Sequence, residues 1–424
     1  MARIERRRLL AGALAAGAGL ALGGLPHSLE GGARAAPSPP LSPRAYVPLV
    51  LGEDARPCVV HVRDPQATNW NGSGYYYNAV NQSVVNAMVQ AGLEALTGRT
   101  GWPAVWAALF ARAQPEGYQP GQKVAIKVNL NTSQTYLGND CSTQKNHINA
   151  LPQPVIALIH GLVAAGVEAS DVIVYDALRL VSAYFRNPIW DAYPGVVLVG
   201  SSGNVCPGVV AARYGKDPSL TVQFAHPQGL IRSRQLADVL YDATYLINMP
   251  ILKRHSGDAA IPVTLGFKNH LGSLDRITGD GADDLHAYLN TNSTSYRSTY
   301  SPLVDISANP NIRDKTILIV GDGLYGGFGH SDITPTSWAT FGDAPNSLFF
   351  ATDPVAVDCV MADFIVAEGL VTRTRTYDTL FCAAERGLGV CEGTRAAPGG
   401  NPWQLSLIHI SEPTRLLSIS YAVF

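Results

Sequence analysis

The chain has 424 residues, of which only 15% are charged, against roughly 25% in an average soluble domain. That length and apolar content allow a large core, built as one big domain or as two intimately packed lobes. Between Ala36 and Gln404 there are 25 Lys plus Arg against 30 Asp plus Glu, a net charge of −5. This argues against a nucleic-acid partner, which normally requires a basic footprint.

The first 35 residues read as a cleavable export signal. A basic start precedes an Ala/Gly/Leu run, and Ala33-Arg34-Ala35 offers a small-residue cleavage site near Ala35. Arg6-Arg7, a spacer and Leu9-Leu10 resemble the twin-arginine motif. The expected destination is the periplasm or the exterior, with the twin-arginine export machinery as partner and membrane contact only during export. The run is too poor in strongly apolar residues for an anchor, which wants about 20 of them. Residues 36–57 are Pro-rich and read as a linker.

From there strand-like and helix-like runs alternate. CVVHV (58–62) reads as a strand, NWNGSGYYYN (69–78) as an exposed aromatic loop and VVNAMVQAGLEALTG (84–98) as an amphipathic helix. VAIKVNL (124–130) is a strand, and PVIALIHGLVAAG (154–166) is a helix that starts at Pro and stops at Gly. DVIVYDA (171–177), VVLVG (196–200), TVQFAH (221–226), ATYLINMP (243–250) and KTILIVGDG (315–323) are further strands. SLFFATDP (347–354) leads into a buried helix. Apolar strands alternating with helices predict an α/β fold, with a mostly parallel or mixed sheet covered by helices on both faces.

At the far end, LSLIHISEPTR (405–415) and ISYAVF (419–424) resemble translated sequencing-adapter sequence. The expectation is that residues 396–404 form a tail, that 405–424 are an artefact dispensable to the fold, and that the true C-terminus is missing. The six cysteines contain no C-x-x-C pair, which argues against iron–sulfur clusters and structural zinc. In an exported chain they permit disulfides. Cys382 and Cys391 are the best local pair, and Cys359 reads as a buried thiol.

In sheets of this kind, ligand sites form where strands end and helices begin. Four chemically loaded segments stand at such edges. Lys127 and Asn129 share one face of a strand, Val128 and Leu130 the other. A lysine there implies either a structural salt bridge or a site. Lys253 and His255 follow the strand ending at Pro250, and a helix is predicted over Ile261–Leu271. That helix carries Thr264 and Lys268 one turn apart, then Asn269, with His270 as a C-terminal cap on the helix dipole. The segment VGDGLYGGFGHSD (320–332) reads as a glycine-rich turn whose backbone N–H groups at Gly323 and Gly326 can cradle an anion. Asp322, with His330 and Asp332, leaves room for a divalent metal. Asp353 before Pro354 is placed as an N-cap, and Asp358 lies one turn on in an otherwise apolar helix.

K-x-N at 127–129, P-x-L-K-x-H at 250–255, T-x-x-x-K-N-x-x-G at 264–272, D-G from 322 and D-P-V-A-V-D at 353–358 occur together in order. The set resembles the domain-of-unknown-function 362 family, over roughly residues 58–395. Some family members carry ferredoxin-type modules, for which this chain lacks the cysteines. The resemblance implies a common site made of Lys127, Asn129, Lys253, His255, Lys268, Asn269, Asp322, Asp353 and Asp358.

Three functional readings follow. An enzyme or enzyme-like protein would hold a small anionic or carbonyl-bearing ligand on Lys253 and Lys268. His255 would move protons, while Asp322 or Asp353 oriented a base or held a metal. A binding protein would capture an anion or metal without turnover. A structural reading makes the motifs core ion pairs. The small-molecule readings require the lysine and histidine side chains to converge. If Lys268 is buried, a carboxylate from Asp322, Asp353 or Asp358 is expected within salt-bridge reach of it or of Lys253.

Overall fold

Strands and helices alternate in the computed structural model much as the apolar pattern predicts. It describes residues 58–203, 205–227, 229, 231–255, 263–275, 285, 298–329, 334–371, 376–400 and the backbone of 418–423. All of these lie in one compact unit, Pro48–Phe424. His330, Asp332, His409 and the 1–57 segment lie outside the described residues.

The main sheet comprises β1 (Cys58–Arg63), β2 (Lys123–Val128), β3 (Val172–Tyr175), β4 (Val197–Gly200) and β5 (Val210–Ala211). β6 (Ala243–Met249), β7 (Ile251–Arg254), β8 (Val263–Thr264), β9 (Thr316–Gly327), β10 (Ser347–Ala351) and β11 (Ser418–Val423) complete it. The spatial order is β11-β1-β10-β9-β6-β2-β3-β4-β5, with β7 paired to β9 and β8. From β9 through β6, β2, β3 and β4 to β5 every pairing is parallel. β10 runs antiparallel to both β9 and β1. The sheet is therefore mixed and mostly parallel.

Period-2 alternation splits the side chains between two cores. Val124, Ile126, Val128 and Leu130 point into one, together with Val85, Met88 and Leu93 of α1 (Gln82–Thr97) and Trp106 of α2 (Trp102–Phe110). Leu158 and Leu162 of α3 (Pro152–Ala164) and Phe185 of α4 (Ala183–Ala192) join that core. Ala125, Ile173, Tyr175 and Leu246 point into the other. Phe267 of α5 (Gly266–Asn269), Leu303 of α6 (Pro302–Ala308), Val357 of α7 (Pro354–Ala367) and Leu380 of α8 (Asp378–Glu385) cover that face. Lys127 and Asn129 fall on this second face by the same alternation.

Several sequence expectations are corrected. The glycine-rich segment is strand as far as Gly327, not an anion-cradling turn. A Cβ on Gly326 would lie 2.4 Å from the Trp338 indole, and one on Gly323 would lie 3.1 Å from the Phe349 ring and 3.2 Å from the Ser347 carbonyl. Those glycines admit close packing. The helix expected over Ile261–Leu271 is shorter, because Val263 and Thr264 pair with Arg254 and Lys253 before α5 begins. TVQFAH contributes only the pair Thr221–Val222 to a small two-stranded ribbon with Arg234–Gln235. Tyr76 and Tyr77 of the expected surface loop are buried, and the Tyr76 hydroxyl donates to the His147 carbonyl at 3.1 Å. The disulfide joins Cys141 to Cys206, not Cys382 to Cys391.

The tail is a further correction. Ser418–Val423 pairs antiparallel with β1 along the whole of Cys58–Arg63. β1 otherwise presents a free row of N–H and C=O groups, and an edge of that kind accepts any β-prone segment that reaches it. The residues expected to stand outside the fold thus include an edge strand.

Candidate anion site at the carboxyl edge of the sheet

Lys127 stands one residue before the end of β2 and is fully buried. Its ammonium donates to the Val128 carbonyl at 2.5 Å and to Asn269 Oδ1 at 3.1 Å, and it lies 3.5 Å from Asp176 Oδ2. An ammonium has three donors, and these partners use all of them. Burial pulls the Lys127 pKa down to about 8, against the opposing pull of Asp176. The surroundings are equally closed. Asn269 Nδ2 donates to Asn248 Oδ1 at 2.8 Å and to the Lys127 carbonyl at 3.3 Å, and Asn248 Nδ2 donates to the Gly266 carbonyl at 3.1 Å. A Cβ on Gly272 would sit 2.6 Å from both Lys127 Nζ and Asp176 Oδ1. Lys127 therefore ties β2 and β3 to α5 as a buried ion pair, which resolves its two open readings toward structure. Asn129 is buried beyond it and its carbonyl takes the Ala150 N–H at 2.8 Å.

α5 is positioned from the opposite side by Asp358 of α7. The carboxylate accepts the Gly266 N–H at 2.8 Å and the Phe267 N–H at 3.0 Å, satisfying two orphan donors at the start of the short helix. A Cβ on Gly266 would lie 2.8 Å from Asp358 Oδ1, so glycine is what lets the carboxylate approach. Burial raises the Asp358 pKa to about 7, with the two N–H groups pulling it back.

α5 then presents Lys268, which is 6% exposed. Among the described residues its ammonium meets no hydrogen-bond or ion-pair partner. Burial holds its pKa well below the usual lysine range, and the nearby charges of Lys253 and Arg179 push in the same direction. Lys253 is itself fully buried on β7, opposite Thr264, with burial bringing it down to about 7. His255 follows β7 and is buried. Arg179, just past the end of β3, is half-buried and spends two of its N–H groups on the Asn131 and Leu178 carbonyls.

The expected carboxylate partner of Lys268 is absent among the described residues. Asp358 caps α5. Asp322 accepts the Leu151 and Leu324 N–H groups at 3.4 and 3.1 Å, with burial pushing it up to about 7. Asp353 caps α7 through the Val355 and Ala356 N–H groups and also takes that of Val390 at 3.0 Å. Asp322 and Asp353 thus have separate backbone partners, and no group of three His, Cys, Asp or Glu among the described residues could hold a metal ion. The metal-ligand expectation for these two is not supported by this arrangement. His270 does not act as a cationic cap either. It is buried, its Nδ1 lies 3.3 Å from Ser273 Oγ, and burial and then Lys127 hold it neutral, down to about 3.

Lys253 and Arg179 thus lie near enough for their charges to act on Lys268, while Lys127 and Asn269 are bonded to each other in the scaffold of α5. Gly323, Gly326, Asp322 and Asp353 serve packing or capping. A cavity of about 470 Å³ lies against α5, lined in part by Asn248, Gly266, Phe267, His270 and Ser307, whose buried hydroxyl meets no partner among the described residues. Sequence reasoning missed Asp176, Arg179 and Asn248. The legible signal was position: Asp176 and Arg179 follow an apolar strand directly, at the edge where sites form.

Residues 205–363 match the family model described as Domain of unknown function (DUF362). That segment is similar to the DUF362 family. No curated protein and no solved structure matches the chain. The DUF362 segment supplies Lys253, His255, Lys268, Asn269 and Asp358, whereas Lys127, Asp176 and Arg179 precede it in the chain. The cation cluster thus draws Lys253 and Lys268 from the matched segment and Arg179 from the stretch after β3.

Proposed function

We propose that the carboxyl edge of the sheet binds a small anionic or carbonyl-bearing molecule between Lys253, Lys268 and Arg179. The observation that carries this reading is that Lys268 is buried, feels the charges of Lys253 and Arg179, and itself meets no carboxylate among the described residues. A buried amine of that kind is costly unless something compensates it, and a bound anion would do so. Burial and the neighbouring positive charges depress the Lys268 pKa, which eases proton exchange between its amine and the ligand or water. Lys253, brought down to about 7, and the planar, multi-donor Arg179 guanidinium would hold the anionic end. His255 is the further proton carrier in this reading. The chemistry serves a small-molecule enzyme, and equally an anion-capturing protein without turnover. No step requires a metal.

The cellular setting proposed is export by a twin-arginine-type route, with cleavage near Ala35 and a periplasmic or extracellular mature chain. The Cys141–Cys206 disulfide supports it, since such bonds persist in oxidising compartments. Titration calorimetry with sulfate, phosphate and pyruvate tests the site. Saturable binding of at least one, lost in Lys268→Met, is expected. Equal binding by both proteins, or none at millimolar concentrations, overturns the reading.

A further inference from the structure

We infer that Cys359 and Cys391 form a second disulfide, which locks the segment after α8 onto α7. Their Sγ atoms lie 2.7 Å apart, a short step from the ~2.05 Å of a formed bond. The approach is built by the surrounding chain. Val390, the residue before Cys391, donates its N–H to Asp353 Oδ2 at 3.0 Å. Gly389 has φ of 157°, and a Cβ on it would lie 2.1 Å from Asp353 Oδ1, so only glycine lets the backbone come this close. Asp353 and Cys359 are both on the first turns of α7, one as its N-cap and the other in the helix. The anchoring of residues 389–390 on the cap therefore lays Cys391 against Cys359. Cys382 is drawn elsewhere, its sulfur 3.8 Å from the Arg395 guanidinium. The sequence-local pair across CAAERGLGVC is thereby set aside in favour of a partner 32 residues away.

Oxidation proceeds by exchange with an oxidised dithiol carrier. Cys391 is the more accessible sulfur and Cys359 is buried. The Cys391 thiolate attacks the carrier's disulfide and forms a mixed disulfide, displacing one carrier thiol. The Cys359 thiolate then displaces the second carrier thiol, closing the Cys359–Cys391 bond. The two cysteine protons go to solvent and the two electrons leave with the reduced carrier. Burial and the neighbouring Cys391 raise the Cys359 thiol well above its ordinary range, so the closing step accelerates with rising pH. The bond bears on the site, because α7 also carries Asp358, the cap of α5. The cross-link holds the helix that orients Lys268.

The test is a disulfide map of the full chain, oxidised with glutathione disulfide, alkylated in denaturant and digested without reduction. Peptides joined through Cys359–Cys391 and through Cys141–Cys206 are expected, with Cys382 alkylated. Cys391→Ser should lose the first link and lower Tm by roughly 5 °C under oxidising conditions, whereas Cys382→Ser should keep both links. Alkylation of both Cys359 and Cys391 after oxidation overturns the inference, and so does a Cys382–Cys391 peptide. The wild-type map decides the matter even if a variant fails to fold.

Discussion

Lys268→Met separates a site lysine from a structural one. Methionine nearly preserves the volume of the side chain and removes its amine. Had Lys268 been one half of a buried ion pair, the change would strand a carboxylate and cost about 3–5 kcal/mol. Among the described residues no carboxylate meets it, so that penalty does not arise. Removing a buried polar group without a partner instead recovers about 1–3 kcal/mol of desolvation. A volume-conserving core swap costs up to about 1.5 kcal/mol. The net expectation runs from about 0.5 kcal/mol less stable to about 3 kcal/mol more stable, read as the urea midpoint at constant slope. Binding should move the other way. Loss of one charge-assisted contact, about 1.5–3 kcal/mol, weakens sulfate roughly 10- to 150-fold in calorimetry. A variant destabilised by more than about 3 kcal/mol that binds sulfate as well as the parent would refute the reasoning.

Anion binding should take up protons, because an anion raises the depressed pKa of Lys253 and Lys268. Sulfate affinity should therefore rise as pH falls from about 9 to 6, and titrations in buffers of different ionisation enthalpy should report the uptake. For stability the sign is opposite to that of an ordinary ion pair. Above pH 7 the unfolded Lys253 holds a proton that the folded one, near 7, has released. The wild type should gain stability between pH 7.5 and 9.5, and Lys253→Met should gain less across the same window. Gly326→Ala places a Cβ 2.4 Å from the Trp338 ring and should cost about 1–3 kcal/mol without altering sulfate affinity, whereas an anion-cradling Gly326 would lose affinity. Deleting residues 405–424 should leave the chain folded but expose the outer edge of β1, so light scattering should show concentration-dependent association; a monomer indistinguishable from the parent would contradict a structural role for that strand.

The sequence alone determined what depends on near neighbours. Alternation of apolar residues specified the strands, and the strand–helix rhythm specified a sheet covered on both faces. Asp353-Pro354 announced the N-cap that Val355 and Ala356 confirm, because a cap is satisfied within three residues. The carboxyl edge was legible as the place for lysine and histidine by the same local logic. Tertiary structure decided everything that turns on which distant groups meet. Lys127 is structural because Asp176, Asn269 and Val128 consume its donors, and Asp358 is a cap because α5 packs over its helix. Lys268 is left as the site candidate because no carboxylate reaches it among the described residues. Gly326 needs to be glycine because of Trp338, and Cys141 pairs with Cys206 across 65 residues. A one-dimensional pattern reports which face a side chain takes, but partner choice depends on three-dimensional proximity, which sequence spacing does not encode.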